Sequence, residues 1–191
     1  MLDSNLLLNI AKYITLTDEE LSIFSSLIVL KMIPKRTVIL SADEDCKYLN
    51  YVSSGALRSY YIDSKGKEST IMFAVAGWWI TDMYCYLNKK PAMVNIESIG
   101  DSVIYQINRA NFDYLLNNMP KFEKFFRVLM QNAYTREQIR VIENLSLSAE
   151  SRYKNFIKRY PQIVKEVSQK QIASYLGITP EFLSAIKNPK L

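Results

Sequence analysis

The stretch SQKQIASYLGITPEFLSAIK, Ser168 to Lys187, reads as two short amphipathic helices interrupted at one glycine. Counting Gln169 as the first position, Ala173 is fifth, Gly177 ninth, Leu183 fifteenth and Ile186 eighteenth. Ile172, Leu176 and Ile178 supply the apolar residues between them. Two helices that cross at close range need a small residue at the crossing, which Ala173 provides. The tight turn needs a left-handed backbone, which costs a residue with a Cβ about 1 kcal/mol or more and therefore favours Gly177. Thr179 suits the N-cap of the second helix, Pro180 its first position and Glu181 the positive end of its dipole. The spacing predicts a helix-turn-helix, with helices over 170–176 and 180–187.

Such a pair lays its second helix in the major groove of duplex DNA and its first across the backbone. In that pose Thr179, Pro180, Glu181, Ser184, Ala185 and Asn188 face base edges. Ser168, Gln169, Lys170, Lys187 and Lys190 face phosphates. Only Glu181 can read a base strongly, by accepting from a cytosine amino group. A plain helical corner that closes a domain is the competing reading of the same pattern.

Charge agrees with an anionic partner. Residues 121–191 hold 13 Lys/Arg and 6 Asp/Glu, whereas the preceding 120 residues hold 11 and 13. Other chemistry is excluded by composition. The chain has no histidine, which removes a Ser-His-Asp hydrolase, a His-ligated haem and nearly all catalytic zinc sites. Two cysteines, Cys46 and Cys85, are too few for a four-cysteine iron–sulfur cluster within one chain. Neither has a second cysteine or a histidine beside it in the chain, so they read as buried hydrophobes, with a redox switch as the alternative. Paired carboxylates such as Asp18/Glu19 and Asp43/Asp45 fall in caps and turns, where local hydrogen bonding is their ordinary use. No enzyme, cofactor or metal site is expected. No apolar run is long enough to span a membrane and the first residues lack a secretory signature, so a cytoplasmic location and no membrane partner are expected.

Three textures divide the chain. Residues 4–30 look helical, with Thr17 and Glu20 forming a capping box for a helix to about Val29. Between Lys31 and Ile107, short β-branched and aromatic runs alternate with turn signals such as SADED, SSG and DSKGKE, which predicts a β-roll or sandwich with a hairpin at DSKGKE. RANFDYLLNNMP then reads as a short helix closed by Pro120, and about 25 residues without Gly or Pro follow. Along that long helix Phe122, Phe126, Leu129 and Ala133 repeat at 4-3-4 spacing, continued by Ile139, Ile142 and Leu145. This stripe either packs on the β domain or forms a coiled-coil-like dimer seam. The expected architecture is α+β: a β-roll with flanking helices over 1–120, a long dimerisation helix over 121–147 and a helix-turn-helix domain over 148–191.

A β-roll, a long helix and a helix-turn-helix together resemble the Crp/Fnr family of bacterial transcription regulators, and the resemblance covers essentially the whole chain. GWWITDMYCYLNKKPAMVNIESIGDSVIYQINRANF is similar to that family's effector-binding segment, and SAESRYKNFIKRYPQIVKEVSQKQIASYLGITPEFLSAIK to its short-tailed members from Bacteroidetes-like bacteria. The resemblance implies a cyclic-nucleotide-binding-like roll, a homodimer joined along the long helix and two recognition helices on a near-palindromic site in double-stranded DNA. RNA polymerase is then a further partner. The effector pocket would include Asp82, Met83, Ala92, Met93 and Asn95, with Glu137 and Gln138 reaching over from the long helix.

The departures from the family pattern are specific. Where cyclic-nucleotide binders carry Gly-Glu-Leu and Arg-Ser/Thr-Ala, this chain has Thr81-Asp82-Met83 and Ala92-Met93-Val94. Ala92 offers neither charge nor a fork of donors for a cyclic phosphate, so cyclic AMP is not expected to bind. The effector is then another small molecule or none. The family's β-wing is expected to be reduced or missing, because the chain from 152 to 169 looks helical with a break at Pro161. Its recognition-helix arginines are replaced by Pro180 and Ala185. The alternative is a small-molecule-binding or dimerisation module whose helix-turn-helix no longer binds DNA.

Overall fold

The computed structural model describes residues 2–187, so Asn188 and Lys190 lie outside the described residues. Asp3 caps α1 (Ser4–Ala11) by accepting from the Leu6 amide, and the Thr17–Glu20 capping box opens α2 (Asp18–Leu27). The second helix ends at Leu27, before Val29, because Ile28 turns extended and enters β1 (Ile28–Ile33).

Two antiparallel sheets follow. One has the order β1, β8 (Ser102–Asn108), β3 (Tyr48–Ser54), β6 (Trp79–Ile80). The other runs β2 (Val38–Leu40), β7 (Asn95–Ser98), β4 (Ala56–Ile62), β5 (Glu68–Val75). The DSKGKE hairpin joins β4 to β5, with Gly66 at φ 77° and Asp63 accepting from Lys65 and Lys67 amides. Gly55, between β3 and β4, sits where a Cβ would lie 2.5 Å from the Asp101 carbonyl, so no larger residue fits. The short helix α3 (Met83–Asn88) lies between β6 and β7.

After α4 (Arg109–Asn118), Pro120 opens the next helix rather than closing the last one. It is the first residue of α5 (Pro120–Ser146), where its missing amide costs nothing. Phe122, Phe125 and Phe126 are buried in their own chain's core. Phe122 stacks on Phe24 at 4.9 Å, and Phe126 meets Phe112 at 4.7 Å and Trp79 at 5.4 Å. Leu129 packs against the same core. The dimer-seam assignment of Phe122 and Phe126 is therefore corrected: burying aromatic rings against α2, α4 and β6 removes them from any outer surface.

The C-terminal part is helical: α6 (Ala149–Arg159), α7 (Pro161–Glu166), α8 (Gln169–Leu176) and α9 (Pro180–Lys187). Among the described residues no strand follows β8, so no β-wing is formed there. A second core fastens these helices to the roll. Period-two alternation sends Leu57 and Ala74 into the roll's core, while Ala56, Phe73 and Val75 join Phe156, Tyr160, Ile163, Ile172 and Leu183 on the other face of the sheet.

Candidate nucleic-acid interface and effector-type segment

The helix-turn-helix geometry follows the residue spacing. Ser168 and Gln171 form a capping box at the start of α8, and Gly177 ends it at φ 70°. Ala173 at the crossing and Leu183 on α9 are both fully buried. Thr179 Oγ1 accepts from the Phe182 amide at 3.1 Å and opens α9. On the opposite side Ser168, Gln169, Lys170, Thr179, Pro180, Glu181, Ser184, Ala185 and Lys187 are all exposed. One exposed residue on α9 escaped the sequence reading. Phe182 is 53% exposed, next to buried Leu183, because one step along a helix turns a side chain about 100° away from the core.

The face of α8 away from this surface is bolted to the roll. Ser174 Oγ accepts from the Thr70 amide at 2.9 Å and donates to the Glu68 carbonyl at 3.0 Å. Arg140 of α5 donates to the Ile71 carbonyl and lies 5.1 Å from the Tyr175 ring centre. Burial pushes the Tyr175 phenol up to about 12, so that ring packs uncharged. Glu143 takes both Arg159 (2.7 Å) and Asn155 (3.1 Å), tying the end of α5 to α6. Beneath the junction Arg58 is buried between Glu68 (2.6 Å) and Glu97 (2.7 Å) over the Tyr60 ring. Burial alone opposes its charge, but the two carboxylates outweigh that and raise its pKa. The sequence carried no signal for this junction, since Ser174 and Arg140 look like ordinary surface residues on their helices.

The effector-type segment is arranged differently from expectation. Asp82 is buried, and its carboxylate accepts from Cys85 N at 3.0 Å, Met93 N at 2.7 Å and Val94 N at 3.2 Å. It caps α3 and holds the returning strand, so both carboxylate oxygens are engaged by backbone amides. Ala92 is buried and exchanges backbone hydrogen bonds with Asp43 and Glu44. Asn95 accepts from the Ala42 amide, and Glu137 pairs with Arg140 at 3.0 Å. Met83 is half-buried, whereas Met93 and Gln138 are exposed. Asp82 and Met93 are brought together, whereas Glu137 lines a cavity that none of the other six lines. Glu137 borders a cavity of about 10 Å³ with Trp78 and Tyr175, room for a water and no more. A cavity of about 360 Å³ lies elsewhere, between Leu40, Cys46, Tyr48, Asn50 and Gln106.

Of the stripe read along α5, Ile142 and Leu145 are exposed, and Tyr134 and Val141 join them in one outer row. Tyr134 (71%), Val141 (53%), Ile142 (56%) and Leu145 (84%) are exposed on one side, within an arc of about 100° that also holds Gln138. Ile139 lies about 60° beyond that arc and is 38% exposed. Ala133 turns toward its own chain with Arg136, which lies over Trp78 at 4.5 Å. Among the described residues no helix is long and apolar enough to cross a membrane, and no group of three or more Cys, Asp or Glu is placed to hold a metal ion.

Comparison with known proteins gives a consistent result. Residues 30–119 match the cyclic nucleotide-binding domain. The chain is 24% identical to the regulatory protein HlyX of Actinobacillus pleuropneumoniae, covering 90% of this chain and 76% of that protein. Its fold is similar to FixK2 from Bradyrhizobium japonicum, with a TM-score of 0.73 at 19% identity over 84% of this chain and 83% of the other. A Crp/Fnr-family chain from Eubacterium rectale gives a TM-score of 0.71 at 19% identity, over 90% and 82%.

Proposed function

We propose that this chain, which matches the cyclic nucleotide-binding domain over residues 30–119 and is similar to Crp/Fnr-type regulators, is a DNA-binding transcriptional regulator of that type, acting as a homodimer on a near-palindromic site. The observation that carries this reading is an uncovered α9 whose buried side is locked by Ala173, Gly177 and Leu183. Among the described residues nothing covers the face that carries Glu181, Ser184 and Lys187. The dimer joins along the outer row Tyr134, Val141, Ile142 and Leu145, which puts apolar surface of the kind a coiled-coil seam buries on each copy. Two recognition helices then meet half-sites about 34 Å apart.

Cyclic AMP is not the effector. Ala92 supplies no cation for the phosphate, and Asp82 has its oxygens engaged by backbone amides. The roll holds another small molecule or none. The regulator reading carries with it a cytoplasmic location, RNA polymerase as a further partner, no cofactor and no catalysis.

Selection of bound sequences from a random duplex library tests the reading. The expected result is a two-fold symmetric motif and affinity that falls steeply with salt. If Lys170 and Lys187 of each protomer neutralise one phosphate apiece, the log–log slope is about −3.6. No enrichment, with or without cell extract, would overturn the DNA reading and leave a module whose helix-turn-helix is a structural corner.

A further inference from the structure

We propose that Cys46 and Cys85 form an oxidisable dithiol that closes to an intramolecular disulfide when a hydroperoxide enters the cavity beside Cys46. Isolated in the chain, the two cysteines are brought together by the fold. The Cys46 amide donates to Cys85 Sγ at 3.0 Å, which places that sulfur within about 4.5 Å of the Cys46 Cα. Cys46 Sγ is 2.9 Å from Thr81 Oγ1. The link requires Cys46 Sγ to turn about its Cα–Cβ bond, away from Thr81, until it meets Cys85 Sγ at disulfide geometry.

The backbones are held for that approach. One Arg109 Nη2 donates to both the Cys46 carbonyl (3.2 Å) and the Cys85 carbonyl (3.3 Å). Asp43 N to Ala92 O (2.8 Å) and Ala92 N to Glu44 O (2.9 Å) lace the loop before Cys46 to the segment after Cys85. Cys46 lines the cavity of about 360 Å³, together with Glu44, Lys47, Tyr48 and Gln106, whereas Cys85 lies fully buried behind it.

The two sulfurs therefore take different parts. Cys46, as thiolate, attacks one oxygen of the hydroperoxide. The O–O bond breaks, and the leaving alkoxide takes up a proton and departs as alcohol, or as water when hydrogen peroxide is the oxidant. Cys46 is left as the sulfenic acid. The Cys85 sulfur then displaces its hydroxyl group, which takes the Cys85 proton and leaves as water. Two thiols lose two electrons and the hydroperoxide gains them. Burial raises the Cys85 thiol pKa, in keeping with a second, resolving role rather than the first attack.

The test treats the purified full chain with hydrogen peroxide and counts thiols after unfolding. The expected count falls from two per chain to none, with a Cys46–Cys85 linked peptide by mass spectrometry, monomeric migration without reductant and full recovery in dithiothreitol. In Cys85→Ser the reaction stops at a Cys46 sulfenic acid that dimedone traps. Survival of both thiols at a peroxide concentration that consumes free cysteine would overturn the proposal. So would links between chains, or oxidation of each sulfur without a link.

Discussion

Segments 82–95 and 168–187 both carry polar side chains that the sequence nominates for a ligand, and the structure uses them in opposite ways. Asp82 points its carboxylate inward at three backbone amides of its own chain. Glu181, Ser184 and Lys187 are exposed among the described residues. Asp82 is thus a brace for α3 and the strand that returns to the sheet, while α9 is a free face on a rigid support. A residue type that can contact a ligand is informative only when its hydrogen-bonding groups are unoccupied.

The contrast can be broken or sharpened by substitution. Inside α9, Leu183→Ala should cost about 2–5 kcal/mol, because the residue is fully buried and its neighbours come from several helices. Urea unfolding with an unchanged midpoint would break the account of a locked reading head. Asp82→Ala removes the acceptor of one buried and two part-buried amides and should cost about 1–3 kcal/mol, since an unpaired buried donor carries its desolvation penalty. A ligand-contacting aspartate would instead leave stability nearly unchanged, so the same denaturant titration separates a brace from a binding group. Gly177→Ala forces a Cβ onto a backbone at φ 70° and should cost about 1 kcal/mol, visible as a lowered Tm. Glu181→Ala lies on the free face and should move stability by less than about 0.5 kcal/mol. It should nevertheless change which bases are recovered in a sequence selection, and identical recovered motifs would show that Glu181 reads nothing.

The two halves of α5 repeat the lesson on a larger scale. Its first turns bury Phe122, Phe125 and Phe126 in the roll, and its last turns expose Tyr134, Val141, Ile142 and Leu145. Leu145→Asp should therefore leave the fold of one chain intact by far-ultraviolet dichroism. It should shift the mass in solution from dimer to monomer. A dimer that persists would move the seam elsewhere.

Local signals in the sequence were enough for much of the molecule. The helix-turn-helix, its glycine, the Thr17–Glu20 cap, the hairpin at DSKGKE and the alternating strands all rest on interactions among residues close in the chain, so their spacing is their structure. The exposed set on α8 and α9 follows from the same periodicity. Partnership across the fold is what spacing could not show. The apolar stripe of α5 has one period but two destinations, and only the position of the roll decides which residues it covers. Asp82 meets Met93 and Val94, Ser174 meets Thr70, and Cys46 meets Cys85 because the strands pair in one register and the loops between them close. The sequence by itself thus determined a helix-turn-helix pair on a β-roll. Whether a given polar or sulfur atom is free, braced or paired was decided by tertiary structure, since that depends on contacts between residues tens of positions apart.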